Sequence, residues 1–127
     1  MIQKGTFLNV IDNSGAKEVC CIQVTRGYRK RYASVGDVVI VSIKSLRLKR
    51  KKFARIKKGD VSRALVIRTK SLQKSYTQEP IGFLENGVVL LSRQNKLLGT
   101  RIFGAVPQKF RFSKFLRIMS LASGFVK

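Results

Sequence analysis

Short apolar runs separated by turn chemistry limit what this chain can become. TFLNVID, EVCCIQVT, DVVIVSIKSL, RALVIRTK and GVVLLSR are rich in β-branched residues, too short for long helices, and bounded by Gly, Asn, Asp or Ser. Asn13-Ser14-Gly15 separates the first two runs and predicts a hairpin, with Gly15 supplying the positive φ of the reversal. Gly36-Asp37 and Gly59-Asp60 turn the chain before the third and fourth runs, in VGDVVIVSI and KGDVSRALVI. Two copies of such a turn without wider similarity do not make a repeat protein. Five or six short strands in 127 residues, with few helices to cover a sheet, favour closure into a small barrel over an open sheet with exposed edges. The expected class is mainly β in a single domain spanning 1–127.

Helical patterning is confined to FSKFLRIMSLASG near the end. A helical segment over about 113–123 is predicted, with Ser113 as cap, Phe115, Leu116, Met119 and Ala122 on one face, and Gly124 as the stop. Phe110 and Phe112 are expected to pack. Cys20 and Cys21 are adjacent on a strand, face opposite ways and are expected to be free thiols in a reducing compartment.

Charge is the second constraint. The net charge is +21 with a pI near 11.1, yet 44% of the residues are hydrophobic, so the chain can fold and still needs a polyanion to offset its self-repulsion. Sixteen of the 27 basic residues fall between Arg26 and Lys70. RLKRKKFARIKK, residues 47–58, places eight cations in twelve positions between two strands, which makes it an internal connection, read as a projecting basic ribbon, with Leu48, Phe53 and Ile56 touching the body or each other. Further clusters are Arg26, Arg29, Lys30 and Arg31, then Arg68 and Lys70, then Lys109, Arg111, Lys114 and Arg117. Basic groups at loop ends let a compact body touch phosphates from several segments of a folded RNA at once. A membrane surface fits less well, because no apolar run approaches a spanning length and the basic stretches carry no long apolar stripe.

Catalysis is not expected. The chain has no histidine and only six carboxylates, of which Asp37 and Asp60 read as turn residues and Asp12 as the acceptor of an Asx hydrogen bond. No catalytic residue, metal site or cofactor is assigned; two adjacent thiols cannot make up a zinc site. The start, MIQKGTFLNVIDNSGAK, has the pattern of neither a secretory signal nor an Arg-rich presequence.

Five stretches, MIQKGTFLNVIDNSGAK, YASVGDVVIVSIK, IKKGDVSRALVIRTK, GTRIFGAV and KFLRIMSLAS, resemble in order and spacing the universal large-subunit ribosomal protein L-fourteen family of the bacterial and organellar type. The resemblance implies a small closed five-stranded β-barrel with a projecting basic hairpin and a short C-terminal helical segment. It also implies a structural constituent of the large ribosomal subunit that binds large-subunit rRNA, packs beside neighbouring large-subunit proteins and contributes to intersubunit bridges with small-subunit rRNA. A ribosome silencing factor can occupy the same face in that family, and the matching positions are Thr100, Arg101 and Arg117, with arginine at 117 where lysine is usual. Arg101 sits between Gly99-Thr100 and the apolar pair Ile102-Phe103, so Phe103 is expected to be buried as the anchor of that loop while the guanidinium faces outward. The chain departs from the family pattern in RLKRKKFARIKKGD, which is longer and more basic. It departs again in SLQKSYTQEPIGFLEN, which lacks an RPDGS-like turn, and in the unacidic end SGFVK.

The expected RNA-binding residues are Asn13, Ser14, Lys17, Arg26, Arg29, Lys30, Arg31, Lys44, Arg47, Lys49, Arg50, Lys51, Lys52, Arg55, Lys57, Lys58, Arg68 and Lys70. The high charge and the abundance of Lys, Ile and Phe suggest a product of an AT-rich organelle genome, so the expected location is the mitochondrial ribosome, with bacterial cytoplasm as the alternative. The competing functional class is a free nucleic-acid-binding module, an RNA chaperone or an architectural DNA binder.

Overall fold

The computed structural model of the chain describes residues 2–25, 27, 31–47, 56–74, 80–112 and 115–126. Five strands close into a barrel: β1 (Phe7–Val10), β2 (Ala16–Val24), β3 (Val38–Leu46), β4 (Val61–Arg68) and β7 (Gly87–Leu91), in the order β1-β2-β3-β4-β7. Neighbours pair antiparallel except at the closure, where β1 runs parallel to β7 with Asn9 opposite Gly87 and Val10 opposite Val88. These are the five runs expected from the sequence. Gly15, Gly36 and Gly59 all sit at positive φ, and Asp37 and Asp60 accept backbone N–H bonds from Ser34 and Lys57 across their turns. Register shifts in β2 between Ala16 and Val19 and between Cys21 and Gln23 bend that long strand around the barrel.

Alternation along the strands fills the interior with Leu8, Val10, Val19, Cys21, Val39, Val41, Ile43, Val66, Val88 and Leu90. Cys21 points into this core, Cys20 is less buried, and both thiols are free.

A second core lies outside the barrel. Leu65, Ile67, Val89 and Leu91, on the outer faces of β4 and β7, meet Ile102, Val106, Phe110, Ile118 and Met119. This explains why ALVI and GVVLL read as continuous apolar runs: both faces of those strands are buried. The covering layer consists of β8 (Ile102–Pro107), a 3-10 turn at Gln108–Phe112, α1 (Arg117–Leu121) and β9 (Ala122–Val126), which pairs parallel with β8. A short two-stranded pair, β5 (Gln73–Lys74) with β6 (Pro80–Ile81), stands apart from the barrel.

The helical segment expected over about 113–123 is therefore shorter. Leu116 is the N-cap without a side-chain cap bond, and Ala122 is already extended, so the chain leaves the helix before Gly124 to pair with β8. Ser113, the expected cap, lies outside the described residues. The buried stripe is Phe115, Ile118, Met119 and Ala122, at the i, i+3, i+4, i+7 spacing, while Leu116 is 53% exposed. Phe110 is buried, as expected of a packing residue.

Candidate nucleic-acid interface

The basic connection leaves β3 at Arg47 and returns at Ile56, and both ends are fixed to the body. The Arg47 backbone N–H donates to Gly15 O at 2.9 Å, its guanidinium donates to Val10 O at 2.9 Å, and its Cζ lies 5.6 Å from the centroid of the Phe103 ring. Ile56 packs on the barrel core, as expected of an apolar residue in that stretch. The positions between them, with Leu48, Lys49, Arg50, Lys51, Lys52, Phe53 and Arg55, lie outside the described residues, as do Arg26, Arg29 and Lys30.

Residues 12–15 hold three other segments at the same end. Asp12 is 2% exposed; its Oδ1 accepts bonds from the Ser14 N–H and hydroxyl, and its Oδ2 accepts the Leu90 N–H at 3.0 Å. The Asx hydrogen bond expected of it is present. Burial raises its pKa, more than the bonds from Ser14 and Leu90 and the charge of Arg47 lower it. Asn13 uses both atoms of its side-chain amide, the oxygen twice and the nitrogen once, on the loop before β8. Its Oδ1 accepts N–H bonds from Thr100 at 2.7 Å and Arg101 at 3.1 Å, and its Nδ2 donates to Thr100 Oγ1 at 2.9 Å. Gly99 makes this approach possible, because a Cβ there would stand 2.9 Å from both Asn13 Oδ1 and Asp12 Cβ.

The β1–β2 turn, the two ends of the basic connection and the 99–101 loop thus meet at one end of the barrel. An open cavity of about 1100 Å³ lies there, with Ile56, Val61 and Leu98 on its apolar side and Asn13, Arg63 and Arg93 among its polar lining. Lys17 and Lys44, near the start of β2 and the end of β3, and Lys57 and Lys58 are exposed, as is Arg101. Arg31 and Lys70 are exposed too, but sit in the β2–β3 connection and beyond the far end of β4.

Arg68 differs from these cations. Its side chain is 11% exposed, pairs with Glu85 at 3.2 Å and donates to Phe103 O at 3.0 Å. Burial lowers its pKa, and Glu85 partly counters that. Its guanidinium therefore holds β4 to β8 and is turned inward, unlike the solvent-facing lysines.

Sequence reasoning places Phe103 as a buried anchor beneath Arg101, and this is corrected: the anchor is Ile102, and Phe103 is 41% exposed. Alternation along β8 turns these neighbours to opposite faces. Arg117 is exposed on α1, and Arg101 and Arg117 each precede an isoleucine of the outer core, Ile102 and Ile118. Arg63 and Arg93, in the cavity lining, were not among the expected residues. Arg63 shares the outer-face parity of β4 with Leu65 and Ile67, but is exposed where they are buried, and it bonds Asn95 Oδ1 at 3.1 Å.

A closed five-stranded barrel with a short C-terminal helical segment is the architecture the resemblance implies. The family model described as ribosomal protein L14p/L23e matches residues 1–126. With all but the last residue inside that match, the chain belongs to the ribosomal protein L14p/L23e family.

Proposed function

We propose that this chain, whose family has a structural role in the large ribosomal subunit, binds large-subunit rRNA through the barrel end where residues 12–15, the basic connection and the 99–101 loop converge. The observation that carries this reading is the double anchoring of the connection, at Arg47 and at Ile56, beside the exposed Lys57, Lys58 and Arg101. Fixed anchors deliver a dense group of cations to one place, which reduces the ordering cost when phosphates are bound. Lys17, Lys44, Arg31 and Lys70 extend the phosphate-binding surface around the barrel. Asn13 and Ser14 contribute mainly by shaping it, since their polar groups are engaged within the chain.

Thr100, Arg101 and Arg117 form the face turned to the small subunit, where charge-assisted hydrogen bonds meet small-subunit rRNA phosphates or an acidic surface of a silencing factor. Neighbouring large-subunit proteins cover part of the remaining surface. The ribosome in question is mitochondrial, a reading supported by the composition.

The test is incorporation in competition. Changing Lys49, Arg50, Lys51 and Lys52 to Ser should leave the thermal midpoint within a degree or two but reduce entry into large subunits against the unchanged protein. Equal entry, or complete loss of the wild-type protein from subunits after a high-salt wash, points instead to a free nucleic-acid binder whose loose phosphate contacts weaken steeply with salt.

A further inference from the structure

Phe103 presents an exposed aromatic ring from a backbone that is held on both sides. Its N–H donates to Ile11 O at 2.7 Å and its carbonyl accepts from Arg68 Nη2 at 3.0 Å. The next residue, Gly104, has φ +82°, and a Cβ there would lie 2.3 Å from Arg68 Nη1. Arg68 is in turn paired with Glu85, which also accepts from Asn9 Nδ2 at 2.9 Å. The strand is locked at the one point where it turns a phenylalanine to solvent, 41% exposed. Arg47, itself tied to Val10 O and Gly15 O, places its guanidinium over that ring.

A fixed ring bearing a guanidinium, in a chain of net charge +21, matches what single-stranded RNA offers: a flat π-face and an adjoining phosphate. The nearby carboxylate, Glu85, is engaged by Arg68 and Asn9, so it does not repel a phosphate as a free acid would. Arg101, exposed two residues earlier in the chain, is the natural second phosphate partner. A protein neighbour could use an exposed ring, but Arg47 over the ring and the exposed Arg101 nearby in the chain favour a polyanion.

We infer that Phe103 is a stacking platform for an unpaired nucleobase of RNA, with Arg47 closing the ring's other side and Arg47 and Arg101 receiving the flanking phosphates. This rests on the reading of the chain as an RNA binder and names the chemistry of one contact within it. Stacking needs π-surface and is indifferent to charge, whereas phosphate contacts need charge and are indifferent to the base, so the two can be measured apart.

The experiment uses the full chain, a short oligoadenylate carrying 2-aminopurine, and an abasic strand with the same number of phosphates. The wild-type protein should quench 2-aminopurine fluorescence and prefer the adenylate to the abasic strand. Phe103→Leu should abolish the quenching and weaken adenylate binding about tenfold, with abasic binding and the salt slope unchanged. Phe103→Tyr should behave as wild type. Ultraviolet irradiation of the wild-type complex should leave a nucleotide adduct on Phe103, a readout that needs no variant to fold. Undiminished quenching and preference in Phe103→Leu, or adducts only at other residues, overturn the inference while leaving RNA binding intact. Unchanged RNA binding together with poorer retention of Phe103→Leu in salt-washed subunits also overturns it, in favour of a protein contact. Failure of the wild-type protein to bind either strand removes the RNA-binding reading itself, and this inference with it.

Discussion

Asn13→Ala should loosen the loop that carries Thr100 and Arg101 without unfolding the barrel. The side-chain amide makes three hydrogen bonds to that loop, two of them to backbone N–H groups, and all lie at an exposed site. A hydrogen bond contributes about 0.5–1.5 kcal/mol net, toward the lower figure where water can replace the lost partner. Three such bonds give a loss of roughly 1.5–2.5 kcal/mol. For a chain of this size that corresponds to a fall of about 5–10 °C in thermal midpoint. Asn13→Asp separates the parts of the clasp. It keeps the oxygen that accepts both N–H bonds, and the Thr100 hydroxyl can rotate to donate to it, so most of the stability should return. Paired thermal melts, with hydrogen exchange of the Thr100 and Arg101 amides, measure both effects. If Asn13→Ala melts with the wild type and those amides stay protected, the amide is not the clasp and the loop is held by Ile102 alone.

Other outcomes rest on single residues. Gly104→Ala must place a side chain at φ +82° and push the Arg68 guanidinium from its bonds to Glu85 and Phe103, so it should cost roughly 1–3 kcal/mol in urea unfolding. Asp12 has a folded-state pKa raised above the ordinary 3.8, so the native state binds its proton more tightly than the unfolded state does. Its contribution is then most favourable at low pH and is lost as pH rises through the folded pKa. The stability of wild type relative to Asp12→Asn should therefore decline with rising pH across that window, and a rising or flat difference in urea midpoints contradicts the sign. Charge reversal at both Arg101 and Arg117 should impair subunit joining, read by sucrose-gradient association of purified subunits, while large subunits still assemble. Normal joining and unchanged silencing-factor binding by the double variant remove those residues from the interface.

Turn chemistry and β-branched runs made the barrel legible because both are local. Gly15, Gly36 and Gly59 mark reversals whose cause lies within a few residues, and β2, β3 and β4 each pair with the strand before them in the chain. The outer layer is another matter. β8 and β9 pair in parallel over a stretch that includes a 3-10 turn and a five-residue helix, and GTRIFGAVPQ shows no clean alternation to announce a strand. The same lack of a local marker left nothing to choose between the members of the apolar pair Ile102-Phe103: Phe103 is the expected anchor, and it is Ile102 that the outer core buries. Composition located the cations but not their surroundings. Arg68 and Lys70 are two residues apart, yet one is sealed against Glu85 and Phe103 and the other is exposed. The role of Asn13 was hidden for a further reason: its partners lie 87 and 88 residues away.

The choice of holding groups at this barrel end follows from its charge. Four consecutive residues tie the structure together there: Asp12 to β7, Asn13 to the 99–101 loop, Ser14 to Asp12, and the Gly15 carbonyl to Arg47. The carboxylate among them is the buried one, where its charge is screened from the surface and opposed by desolvation. The exposed clasp is made by a neutral amide. An aspartate at position 13 would serve nearly as well for the two N–H bonds, but it would set an anion beside Arg101 at the surface, where it would pair with that arginine and repel an incoming phosphate. Asn13→Asp should thus separate fold from function: it restores the melting lost in Asn13→Ala while weakening RNA binding and subunit entry. Neutral holding groups leave the exposed cations of this barrel end unopposed by the turn that orders them, as the proposed binding of a polyanion requires.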